Sequence, residues 1–74
     1  MAFAIYAKRC GLKVNNIPVY DKQFRALDYG GVRVFKLTDA GTYATREDAQ
    51  EVLDTKCREY AEAGLAQYEI RSVK

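Results

Sequence analysis

The stretch from Thr45 to Gly64 constrains this chain most, because its pattern specifies one amphipathic helix inside a sequence of 74 residues. Thr45 has the side chain of a good N-cap, and Asp48 three residues on gives an acidic variant of the capping box. Glu47 and Asp48 place negative charge at the positive end of the helix dipole. Apolar or small residues follow at Ala49, Val52, Leu53, Cys57, Tyr60 and Ala61, the three-and-four spacing of one buried stripe. Gly64 suits the left-handed position after the last turn. A helix is therefore expected from Arg46 to Ala63.

The rest of the chain reads as strands and turns. Residues 67–73 alternate, with Tyr68 and Ile70 on one face and Gln67, Glu69 and Arg71 on the other. Ala2 to Arg9 is a second strand candidate, with Phe3, Ile5 and Ala7 sharing a face. Val32 to Leu37 is a third, flanked by the turn signals Gly30-Gly31 and Thr38-Asp39-Ala40-Gly41. Gly11 and Asn15-Asn16 suggest turns, and Ile17 to Tyr20 a short edge strand, because Pro18 cannot donate to a central ladder. Asp21 to Leu27 reads as a loop or a short helical turn. The expected architecture is a single small α+β domain over residues 1–74. One helix packs on a three- or four-stranded antiparallel or mixed sheet, in the order β-(β)-β-α-β.

Size and residue types narrow the chemistry. A core this small leaves little room for an enclosed active site, since drug-sized pockets run to several hundred Å³. There is no histidine, so the usual acid/base near neutral pH is missing and no Ser-His-Asp or Cys-His arrangement exists. The chain is therefore expected to be no enzyme, with no cofactor and no metal site. Cys10 and Cys57 belong to no CxxC pair, and two reduced thiols are expected. No apolar run reaches 18 residues, which argues against a transmembrane helix. The apolar start, residues 1–7, is too short for a convincing secretory signal. The expected location is the cytoplasm, or the host cytoplasm if the chain is phage-encoded.

Charge is divided by position. Residues 1–38 hold seven basic side chains against two acidic ones, a net +5, and residues 39–74 hold five against eight, a net −3. Two surfaces are candidates for binding. Glu47, Asp48, Glu51, Asp54, Glu59 and Glu62 form an acidic helix face suited to a basic protein groove. Lys8, Lys13, Arg25, Arg33, Phe35 and Lys36 are candidate nucleic-acid contacts, where cations meet phosphates and rings stack on bases. Tyr60 and Tyr68 are placed in the core by their periodicity, while Tyr20 and Tyr29 are interface candidates.

Tyr43-Ala44-Thr45-Arg46-Glu47-Asp48-Ala49, the helix after it, and Tyr68-Glu69-Ile70-Arg71-Ser72-Val73 resemble many short phage and mobile-element proteins. Those proteins often combine an extended N-terminal segment, a small hairpin, an aromatic-x-Thr-x-x-x-Ala helix start and a closing Tyr-x-Ile-x-x-Val strand. The resemblance implies packing roles for Tyr43 and Ala49 and a cap at Thr45, and it implies no catalytic residue. It also implies a class of role, the binding of host factors, including inhibition of host defence systems. The leading expectation is thus a small non-enzymatic module that binds a host protein through the acidic helix face. Direct nucleic-acid binding through the basic half, and a homodimeric accessory protein, are the alternatives.

Overall fold

The computed structural model describes residues 2–73. It contains a four-stranded antiparallel sheet built around one long central strand, β1 (Ala2–Val14), which bonds to β2 (Ile17–Tyr20), β3 (Arg25–Ala26) and β4 (Ala66–Val73). β4 runs along one edge of β1 in unbroken register from Ala2 opposite Val73 to Arg9 opposite Ala66. The other edge is shared. Phe3 exchanges two 2.8 Å bonds with Tyr43, Ile5 accepts from Leu27, and Arg9 accepts from the Asp21 N–H. Tyr43, β3 and β2 thus succeed one another along a single edge.

β1 is longer than its pattern suggests. Gly11 does not turn the chain. It lies at a bulge, where the register shifts between Cys10 and Leu12, and a residue without a side chain fits such a site. The strand then continues to Asn15-Asn16, whose positive φ values of 52° and 66° make the two-residue turn that matches strand twist. Asparagine tolerates this region better than most residues. The hairpin that results carries the expected edge strand Ile17–Tyr20.

The expected third strand, Val32 to Leu37, is not formed. Arg33 makes only an isolated bridge to Leu27, Val34 donates to the Ala26 carbonyl, and a 3-10 turn covers Leu37–Asp39. The strand at this place in the order is β3, in the segment expected to be a loop or a short helical turn. A strand needs a free edge, and Tyr43 and β2 leave β1 only a short one, which Arg25–Ala26 fills. The next stretch of chain folds back on β3 through the Asp28 side chain, which accepts from the Gly30 and Val32 N–H groups. Gly31, at φ 83°, closes that turn as its glycine pair suggests.

The helical run covers residues 46–62 as α1 (Arg46–Val52), a π-helical segment (Leu53–Cys57) and α2 (Arg58–Glu62). Thr45 caps it, its Oγ1 accepting from the Asp48 N–H at 3.1 Å. Replacing Thr45 by Ala is expected to cost about 1 kcal/mol, a fall in Tm of roughly 4–8 °C for a domain of this size, read by circular dichroism. The π segment rotates α2 relative to α1. Ala49 and Cys57 are buried and Val52 and Leu53 half-buried, but Tyr60 is 57% exposed, so the stripe does not extend to the last turn. Gly64, at φ 73°, ends the helix as expected.

Helix and sheet form two layers. Ile5, Ala7, Leu27 and Ala49 make the buried centre, with Phe3, Tyr43, Val52, Leu53, Tyr68 and Ile70 packed around it. The helix therefore covers the Phe3-Ile5-Ala7 face of β1 and the Tyr68-Ile70 face of β4. Ala4, Ala26 and Ala66 are also buried, so much of the interior is alanine and the core is thin. Cys10 and Cys57 are both free. Burial pushes the Tyr68 hydroxyl up to about 12, above its ordinary value of 10.0. The folded state holds this proton more tightly than the unfolded chain, so the contribution is complete below pH 10 and is lost as pH rises toward 12. The urea midpoint is expected to fall across that window, and less steeply in Tyr68→Phe.

Candidate functional site

β4 stops opposite Arg9, the Cys10 N–H donates to the Leu65 carbonyl, and beyond that point the β1–β2 hairpin runs on with no third strand paired to it among the described residues. The molecule is correspondingly elongated, 42 × 24 × 17 Å. A folded monomer of this mass exposes about 4,600 Å² by the usual scaling, whereas this chain exposes 5410 Å².

The register decides what the arm displays. Leu12 lies opposite Val19 and Val14 opposite Ile17, while Lys13 is paired with Pro18. Side chains two apart on a strand share a face, as do those directly opposite. Leu12, Val14, Ile17 and Val19 therefore form one aliphatic plate. Their exposures are 57%, 53%, 66% and 44%, larger than those of the alanines that fill the core. Sequence reasoning missed this plate because a turn at Gly11 ends the strand too early. The available signal was Leu-x-Val and Ile-x-Val on either side of Asn15-Asn16.

Tyr20, at the base of the arm, is a structural anchor. Its hydroxyl donates to the Gly64 carbonyl at 2.6 Å and ties the hairpin to the helix end. Tyr29 donates to the Thr42 carbonyl and packs edge-on against Tyr43, with ring centres 5.8 Å apart.

The six acidic candidates Glu47, Asp48, Glu51, Asp54, Glu59 and Glu62 are all exposed along the helical run. Two of them have partners within the run, Glu62 with Arg58 at 2.7 Å and Asp54 with Gln50 at 3.1 Å.

The basic candidates separate. Lys13 sits out on the arm and Lys36 lies outside the hollows, both exposed. Arg25, Arg33 and Phe35 come together in an open hollow of about 700 Å³, joined by Arg9 and Lys22. Arg33 pairs with Asp21, Arg9 donates to the Gly31 carbonyl at 2.8 Å, and the Arg25 guanidinium lies 4.9 Å from the Phe35 ring centre. The Arg9 backbone N–H, and then the Arg33 guanidinium, hold the Asp21 carboxyl below its ordinary value. Lys8 is on the sheet face away from the helix, 4.8 Å from the Phe24 ring centre. Arg71 reaches the Phe24 and Tyr6 rings at 5.2 and 4.6 Å. Lys8, Phe24 and Arg71 line a second hollow, which Lys22 and Gln23 join to the first. Lys22 on the basic side and Tyr6 beside Lys8 were legible in the sequence; Arg9, Phe24 and Arg71 were not, because only the folded chain brings them beside these residues.

A smaller space of about 180 Å³ separates the helix from the Asp28–Val32 turn, with Cys57 in its wall. Burial pushes the Cys57 thiol up, which holds it in the protonated, unreactive form. Among the described residues no helix is long and apolar enough to cross a membrane. Comparison with protein families, curated proteins and solved structures finds no match to this chain.

Proposed function

We propose that this chain is a small non-enzymatic protein-binding module that lays its hairpin arm on a host protein and occludes or modulates it. The single observation that carries the reading is the aliphatic plate of Leu12, Val14, Ile17 and Val19, exposed on one face of a projecting arm. Contiguous exposed apolar surface marks interaction sites, and the centre of a protein interface is apolar and poor in charge. That criterion favours the arm over the acidic helix face, whose six candidates are all carboxylates. From Cys10 to Tyr20 the arm holds one basic residue, Lys13, and no acidic one, so the complementary surface is mainly apolar with no excess of positive charge. A phage or mobile-element origin, and inhibition of a host-defence factor as the specific task, rest on the resemblance at residues 43–73.

Affinity capture from a bacterial lysate, with and without nuclease, tests this reading. Retention of the same host protein in both conditions is expected. Loss of every retained protein on nuclease treatment would overturn it. A solution mass of twice 8.4 kDa would assign the plate to a second copy of the chain instead.

A further inference from the structure

The basic edge is a second surface, on other residues than the arm. We infer that it binds single-stranded nucleic acid, with the phosphates along its cations and bases stacked on Phe35 and Phe24. Six cations line it: Lys8, Arg9, Lys22, Arg25, Arg33 and Arg71. The two carboxylates among them are already engaged, Asp21 by Arg33 and Glu69 by Arg71 at 2.8 Å. Six against two is a net +4, while the whole chain carries +2, so everything outside this edge sums to −2. Among the described residues Lys8, Arg9, Lys22 and Arg25 make no ion pair. Unneutralised cations gathered on one edge, on a chain otherwise net negative, are complementary to a polyanion.

The aromatic rings select the kind of polyanion. Phe35 is 83% exposed, with Arg25 against it. Lys8 and Arg71 flank Phe24, and Arg71 also lies over Tyr6. Rings and guanidinium planes interleaved in this way offer stacking platforms to unpaired bases, whose faces a duplex keeps hidden. The two hollows lie on opposite sides of the sheet edge and meet at Lys22 and Gln23, giving a flexible strand a continuous path around β3. A rigid duplex cannot take that path.

Fluorescence anisotropy with labelled oligo-dT and oligo-rU of ~12 nucleotides tests this on the full chain. Micromolar binding is expected at about 50 mM salt, weakening roughly 20- to 50-fold by about 200 mM for three or four phosphate contacts. Phe35→Ala is expected to weaken binding at least ~5-fold with the salt slope unchanged. Arg25→Gln is expected to lower that slope by about 0.7. The arm variant Val14→Thr/Ile17→Thr is expected to bind the oligonucleotide as the parent does. Four results would each overturn the inference: no binding at the lower salt, equal affinity for a duplex of the same length, equal competition by poly-glutamate of matched charge, or an unchanged affinity in Phe35→Ala. The poly-glutamate result would point to an acidic protein surface as the true ligand.

Discussion

The double substitution Val14→Thr/Ile17→Thr is expected to leave Tm within a few degrees of the parent and to reduce retention of the host protein at least tenfold. Both side chains lie on the exposed plate, opposite each other in the hairpin register, and neither belongs to the buried cluster. Threonine keeps the β-branched shape that a strand favours, so the hairpin retains its local preference. The change falls on the apolar surface available to a partner. Burying a Val or Ile side chain contributes roughly 1.5–3 kcal/mol. Removing most of that at two positions exceeds the roughly 1.4 kcal/mol that corresponds to a tenfold change in affinity. Melting monitored by circular dichroism gives the first quantity and quantitative capture gives the second. A large loss of Tm with unchanged retention would place the plate in the fold and not in an interface.

Ile5→Ala is expected to lower Tm by roughly 10–25 °C. Ile5 is 3% exposed on the central strand and is one of two large aliphatic side chains in a buried cluster otherwise made of alanine. Truncating such a residue costs about 2–5 kcal/mol, the transfer free energy plus the cavity left behind. A domain of this length has only about 4–11 kcal/mol of net stability, and each kcal/mol shifts Tm by roughly 4–8 °C. The expected range rests on the lower half of the truncation cost, because a thin alanine layer can close part of the cavity. Phe35→Ala, a larger deletion at an 83% exposed site, is expected to shift Tm by less than about 3 °C. If both variants melted alike, the centre of the core would not lie at Ile5.

The helix and β4 were legible in the sequence because each states its own structure locally. Thr45, Asp48 and Gly64 mark the helix ends, and the alternation of Tyr68 and Ile70 with Glu69 and Arg71 marks the strand. The π segment was not legible, and it turns Tyr60 out of the predicted stripe. Val32 to Leu37 has β-branched residues and flanking turns, yet propensity supplies no partner. The edge of β1 it would need is taken by Tyr43, β3 and β2. Gly11 carries the same lesson in reverse, since a glycine read as a turn proves to be a bulge that lengthens β1 into the arm. The six acidic residues are all exposed, but the π segment lies between Glu51 and Glu59, and no local pattern announces it. The contacts of Arg71 with Tyr6 and Phe24 depend on the β1–β4 register, which no single segment encodes.

Hydrogen–deuterium exchange of the free chain and of its captured complex distinguishes the arm from the helix most directly. Among the described residues the hairpin from Leu12 to Val19 pairs with no third strand, so its amides are expected to exchange readily in the free protein. Binding through the arm predicts that exchange slows at residues 12–20 in the complex and stays unchanged along residues 46–62. Slowed exchange confined to the helix around Glu51 and Asp54, with the arm unaltered, would contradict it and return the interface to the acidic face.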